Sequence, residues 1–307
     1  MPGLAGRMSA ADFAVLHRLQ FPLPVNYVCY ASWGCLFAAP AAGPAGLPAG
    51  PAVLAVVANL LLIVAPLAFN VAVDMPTDSH HREKGYLADA AGRVGRGRAL
   101  AWANAEMAAG VALTVVIGPA WGHWWPSAFA AATVAAQLLY NVEPVRLKKR
   151  ALAGSVAFGV ASVGLPCLLA FTAVAAWPEP AVWLVFAGAA VLSVGRTVWW
   201  ALPDLAADTA DGIGTPTVRY GPARALLLAC GLLLAGVVLL GWGLWWRYGL
   251  AWCLLGIAAH AVFLGMVWSR LPGVRRGELP DAKGMLKRTM PVVTLGEVLI
   301  TVVALAA

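Results

Sequence analysis

The sequence predicts an all-α integral membrane protein of nine transmembrane helices, built as two similar four-helix halves with a ninth helix added. Three observations predict it. Hydrophobic types make up 61% of the 307 residues, charged types only 11%, and the mean hydropathy is +0.79. A soluble domain carries about 25% charged residues to cover its surface, so lipid must solvate much of this exterior. Apolar stretches near the ~20 residues a helix needs to cross a bilayer recur along the whole chain. The cations, finally, collect in alternate connections.

The expected spans are 22–40, 50–73, 98–118, 124–141, 153–176, 181–201, 223–245, 248–268 and 290–307. If the N-terminus is cytoplasmic, 20 of the 21 Lys and Arg fall on the inner side, Arg196 among them, and only Arg247 falls outside. That alternation follows the positive-inside rule and places the C-terminus on the opposite side from the N-terminus. The net charge of +7 then reads as topology and attraction to the inner leaflet, not as a nucleic-acid surface. Residues 1–20 read as a short amphipathic lead-in rather than a cleaved signal. The five cysteines lie inside apolar stretches without metal-site or disulfide spacing. The chain is expected to form one membrane domain, with residues 1–141 as the first half, 153–268 as the second, and 290–307 as the ninth helix.

Outer connections (41–49, 119–123, 177–180) are short and nearly uncharged, whereas the inner ones are longer and polar. Function tends to gather in such loops, so the chemistry is expected on the cytoplasmic side. The loop after the second span carries Asn70, Asp74 and Asp78; the loop after the sixth carries Asp204, Asp208 and Asp211. Helical residues four apart share a face, so each motif can aim oxygens at one point. Like charges so placed repel, and a bound cation relieves the repulsion. Oxygen-only ligands suit Mg²⁺, which uses one or two carboxylates plus substrate phosphates. The same interval of 134 residues separates Asn70 from Asp204 and Asp74 from Asp208. Two facing motifs could hold one diphosphate between Mg²⁺ ions. A third inner loop runs from Tyr140 through Arg146, Lys148, Lys149 and Arg150. Its cations either clamp phosphate oxygens or serve only as inner-face anchors.

These motifs together resemble the UbiA superfamily of intramembrane prenyltransferases. Asn70–Asp74–Asp78 is similar to its first Asp-rich motif. Asp204–Asp208–Gly212–Thr215, running on through residues 217–221, is similar to its second. Tyr140–Lys149 resembles its basic loop. The resemblance implies a Mg²⁺-dependent enzyme that ionises a prenyl diphosphate and joins the prenyl group to an aromatic or other lipophilic acceptor. It implies Asn70, Asp74, Asp78, Asp204 and Asp208 as metal and diphosphate ligands, and Lys84, Tyr140, Arg146 and Lys148 as diphosphate contacts. The chain departs from the pattern at Val71, where an Asp is common. It also departs at Gly195–Ala201, which lacks the acid and lysine of a charged run. Trp199 and Trp200 stand there instead, and their π faces suit a carbocation. An intramembrane terpene cyclase, needing no acceptor, is therefore the alternative reading.

Glu106, Glu297 and His260 are polar residues inside expected spans, where such groups are costly. Either glutamate could take the proton released on coupling, or be a hydrogen-bonded structural group; His260 reads as a packing residue. A transporter is the other class considered. Its signatures are inverted repeats and helices interrupted at mid-membrane, whereas these halves share orientation and the second half reads as uninterrupted.

Overall fold

A computed structural model describes residues 9–39, 44–78 and 85–307. Their regular structure is helical; an isolated bridge joins Arg150 to Gly214, and no strand forms among the described residues.

The lead-in is helix α1 (Ala10–Leu16), capped by the Ser9 hydroxyl oxygen, which accepts the Asp12 amide. Then come α2 (Leu23–Phe37), α3 (Ala49–Asp78), the short amphipathic α4 (Gly85–Val94), α5 (Arg96–Trp121) and α6 (Trp125–Asn141). Helix α7 (Leu152–Gly159) passes through a π turn at Val160–Gly164 into α8 (Leu165–Val174). Helix α9 (Pro180–Trp200) leads to the short α10 (Leu205–Ala210) and α11 (Pro216–Tyr220). Helices α12 (Pro222–Tyr248), α13 (Leu250–Trp268), α14 (Leu271–Arg275) and α15 (Ala282–Ala306) complete the chain. The π turn leaves α7–α8 continuous enough to count as a single span, Leu152–Val174.

Among the described residues, seven helices are long and apolar enough to cross a membrane. They are α3, α5, α7–α8, α9, α12, α13 with its extension, and α15. The expected count of nine is not met on that criterion. The stretches 22–40 and 124–141 form helices of only 15 and 17 residues. At 1.5 Å per residue these reach roughly 22–26 Å, short of a ~30 Å hydrocarbon layer. The sequence count included flanking residues such as Pro22, Ala38 and Trp124 that lie outside the helices.

Neighbouring helices close a ring in the order α2, α3, α5, α6, α7, α9, α12, α13, α15 and back to α2, with α8 leaning across onto α2, α3 and α6. Helix α3 packs chiefly on α5, and α9 on α12. The α9–α12 approach needs glycine. A Cβ on Gly188 would lie 2.4 Å from the Leu240 amide nitrogen, and one on Gly236 would lie 2.8 Å from that of Leu192. Such close backbone contact gains dispersion energy where lipid offers no hydrophobic driving force. Asn59, fully buried on α3, donates to the Ala31 carbonyl (3.1 Å) and the Pro166 carbonyl (2.8 Å), tying α2 and α8 to α3. Trp121, Trp124, Trp125, Trp177 and Trp183 are exposed around the ends of α5, α6, α8 and α9, as expected of an interfacial aromatic belt.

Candidate active site

The first Asp motif is helical, not a loop. Helix α3 runs on through Asn70 and Asp74 to Asp78 despite Pro76. Proline removes the N–H that would bond the Ala72 carbonyl, and Arg96 Nε fills the vacancy at 3.0 Å. The i,i+4 arrangement is therefore held in place: Asn70 Nδ2 donates to Asp74 Oδ2 (2.8 Å) and to Asn141 Oδ1 at the end of α6 (2.7 Å).

The basic loop closes on this face. Arg146 donates to Asp74 Oδ1 at 3.2 Å, and Lys148 Nζ is paired with the same oxygen. Arg146 and Ala151 have positive φ (+35° and +48°), the bends that fold the segment back. Glu143 accepts from Lys149 (2.9 Å) and Arg146 (3.2 Å), and these bonds hold its carboxyl below the usual range. The Lys148 side chain is 8% exposed, and burial pushes its ammonium pKa down, against the pull of Asp74. Asp78, buried at the end of α3, also acts on Lys148.

The second motif sits on the short α10. Asp204 caps it, and the Asp208 amide donates to the Asp204 carbonyl at 2.8 Å. Asp208 is buried and its Oδ2 accepts from the Thr215 hydroxyl at 3.0 Å. Gly212 (φ +65°) turns the chain so that the Ile213 amide reaches the Asp208 carbonyl at 2.8 Å. The Ala151 amide donates to the Gly214 carbonyl at 2.7 Å. The basic loop thus bonds the first motif with side chains and the second with backbone. Tyr140 feels the charges of Asp74, Asp208 and Arg18 together, which places the two motifs around one region.

Sequence reasoning missed two contributors. Arg18 counted only as an inner-face cation. It stands at φ +50°, its carbonyl accepts the Tyr27 hydroxyl (3.2 Å), and its charge reaches Tyr140. Asn141 lay inside the quoted basic loop but drew no role. The buried Nε atoms of Arg18 and Arg146 have no hydrogen-bond partner among the described residues. Buried donors are rarely left so, and an oxyanion would satisfy both. Lys84 lies outside the described residues.

The two glutamates are separate from this cluster. Glu106 accepts from Trp102 Nε1 (2.7 Å) and sits 2.8 Å from His17 Nε2, at the join of α5 and α1. Glu297 is buried and paired with Arg196 of α9. The sequence placed Arg196 among inner-face cations. It lies instead within the bundle, 2% exposed, because Glu297 supplies the counter-charge there. Among the described residues no three His, Cys, Asp or Glu stand close enough together to form a metal cage. Two sparse oxygen motifs beside cations suit a metal that shares its coordination with a phosphate ligand.

A closed ring of helices, seven of them long and apolar enough to cross a membrane among the described residues, with acidic motifs and a cationic loop gathered at one end, defines a multi-pass integral membrane protein. The model of the UbiA prenyltransferase family matches residues 28–285, and the chain belongs to that family. Solved structures agree in fold. A UbiA homologue from Archaeoglobus fulgidus bound to GPP and Mg²⁺ is 16% identical with a TM-score of 0.73, over 96% of this chain and 100% of that one. The same homologue bound to DMAPP and Mg²⁺ gives 17% and 0.71 over the same shares. The apo UbiA homologue from Aeropyrum pernix K1 gives 18% and 0.67 over 92% and 96%. Comparison with curated proteins gives no match.

Proposed function

We propose that this protein is a Mg²⁺-dependent prenyltransferase that ionises a prenyl diphosphate and passes the prenyl group to a lipophilic acceptor. The observation that carries the reading is the basic loop's double attachment, Arg146 and Lys148 to Asp74 and Ala151 to Gly214. Family membership and the diphosphate-bound archaeal homologues support it.

Asn70, Asp74, Asp78, Asp204 and Asp208 would hold Mg²⁺, which when bound neutralises charge building on a leaving diphosphate. Arg146, Lys148 and Arg18 bind phosphate oxygens, with Tyr140 donating a hydrogen bond and Lys84 as a further contact. As the allylic C–O bond breaks, its electron pair leaves with the diphosphate. The acceptor then bonds to the allylic carbon and gives up a proton. Glu106 and Glu297 are the candidate proton acceptors, the first held by His17 and Trp102 and the second by Arg196 and Tyr30. Nine membrane passes, with α2 and α6 as short members, keep the N-terminus and motif loops cytoplasmic and the C-terminus opposite. The paired packing of α3 on α5 and α9 on α12 supports two related halves.

A second reading, cyclisation without an acceptor, rests on Trp199, 2% exposed on the helix that leads into the second motif. The test is pyrophosphate release by purified protein in lipid, with geranyl, farnesyl or geranylgeranyl diphosphate, with and without Mg²⁺. Release that depends on Mg²⁺ and disappears in Asp74→Asn and Asp208→Asn is expected. Wild-type release in both variants refutes the assignment. Rapid terpene formation without acceptor would select the cyclase.

A further inference from the structure

Three helices carry buried polar atoms that the Asp motifs do not use. The Glu297 carboxylate on α15 is paired with Arg196 on α9, accepts the Tyr30 hydroxyl of α2 at 2.8 Å, and lies 4.0 Å from His260 Nε2 on α13. His260 lies against Gly296, where a Cβ would stand 2.5 Å from the ring. One turn along each of the three helices is a further buried polar atom with no hydrogen-bond partner among the described residues. These are Asn26 Oδ1, four residues before Tyr30; Trp199 Nε1, three after Arg196; and Thr294 Oγ1, three before Glu297.

The displacement has one sense. Helices α2 and α15 run parallel, since Tyr30 meets Glu297 and, further along both, Trp33 Nε1 meets Thr301 Oγ1 at 2.9 Å. Asn26 and Thr294 therefore both lie toward the N-terminal ends. Trp199 lies toward the C-terminal end of α9, from which Asp204 follows. Arg247 joins Glu179, just before α9, to the Phe37 carbonyl at the end of α2, so α9 runs antiparallel to α2 and the three atoms share a level, one helical turn from the buried ion pair on the side of the second Asp motif. Unpaired polar atoms in so apolar a core are uncommon, and here one comes from each of three helices.

We propose that this level is the subsite for the acceptor's head group, and that the head is uncharged and bears a hydroxyl. The inference rests on the prenyl-transfer reading. An indole N–H only donates, an amide oxygen only accepts, and a threonine hydroxyl does either. A hydroxyl-bearing head offers the complement to all three. Arg196 and Glu297 already neutralise each other, so a carboxylate or ammonium head would stand as an uncompensated buried charge. On coupling, the allylic C–O bond breaks with its electrons leaving on diphosphate. The acceptor's oxygen or ring carbon bonds to the allylic carbon, and the proton lost from that atom passes by way of Glu297 to the released diphosphate, so that the Arg196–Glu297 pair is left neutral.

The experiment compares matched acceptors with the wild-type protein in lipid, supplied with a prenyl diphosphate and Mg²⁺. The pairs are methyl 4-hydroxybenzoate with 4-hydroxybenzoate, and 1-naphthol with 1-hydroxy-2-naphthoate. The neutral member is expected to give a kcat/KM at least about tenfold higher. Thr294→Val and Asn26→Leu replace polar atoms of this level by apolar ones with little change of shape. They should raise the acceptor KM several-fold while leaving the prenyl diphosphate KM within about twofold. Preference for the carboxylates, or an unchanged acceptor KM in both variants, overturns the proposal. So does prenylation of neither pair while Mg²⁺-dependent pyrophosphate release continues. Absence of release under every condition removes the prenyl-transfer reading itself, and this inference with it. Should a variant not fold, the acceptor pairs decide alone.

Discussion

Gly214→Ala should uncouple the two Asp motifs without altering an acidic residue of either. A Cβ at Gly214 would stand 2.7 Å from the Lys149 carbonyl oxygen, and backbone cannot swing aside as a side-chain tip can. The Gly214 carbonyl also accepts the Ala151 amide at 2.7 Å, so relief of the clash lengthens that bond. Overpacking of this kind costs about 1–3 kcal/mol, and a lost neutral hydrogen bond adds about 1 kcal/mol. The strain falls on the segment that carries Lys148 and Arg146 to Asp74. If roughly half of it appears as misplacement of those cations, diphosphate binding weakens by about 1–2 kcal/mol, or roughly 5- to 30-fold. The assay is steady-state pyrophosphate release against prenyl diphosphate concentration, read as KM and kcat separately. The KM should rise by that factor, and Gly212→Ala, strained by its φ of +65° but without a steric neighbour, serves as comparison. A Gly214→Ala protein with wild-type KM and kcat would refute the claim that the loop couples the motifs.

Removing one member of the buried Arg196–Glu297 pair (Arg196→Met or Glu297→Leu) should destabilise the fold by about 3–5 kcal/mol, since a buried charge is left alone. The double variant should regain most of that in a thermal-unfolding comparison, yet stay inactive in transfer. Asp74→Asn leaves Lys148 and Arg146, 8% and 15% exposed, facing each other without their shared carboxylate. It should lower thermal stability as well as abolish release, and added inorganic pyrophosphate should restore part of the stability. Asp12 on α1 accepts two bonds from Arg93 on α4 (2.9 and 2.7 Å), which hold its carboxyl below the ordinary value of 3.8. A lowered folded-state pKa gives a contribution present above 3.8 and lost as pH falls through the folded value. Proteolysis of the α1 segment should therefore stay slow down to about pH 4 and quicken below it, whereas Asp12→Asn should be cut faster at neutral pH.

The helices and the spacing of the two Asp motifs were legible in the sequence because each leaves a local trace. Apolar length sets the spans, and the four-residue spacing of Asn70–Asp74 and Asp204–Asp208 survives in the structure as one helix end and one short helix. Where that reading slipped, a long-range partner made the difference. The segment after the second span read as a loop, and the helix persists past Pro76, where Arg96, twenty residues on, serves the carbonyl that proline strands. Arg196 matched the inner-face pattern by position, but Glu297, 101 residues away, draws it into the core. Arg18 stands at φ +50° with its charge close enough to act on Tyr140, and no pattern in its neighbours encodes that conformation. The same reasoning explains why the acceptor is harder to read than the diphosphate. A diphosphate needs charge, and buried charge is scarce and conspicuous in an apolar sequence. A neutral head needs only single polar atoms such as those of Asn26, Trp199 and Thr294. Each of these passes for ordinary helix composition until three helices bring them to one level.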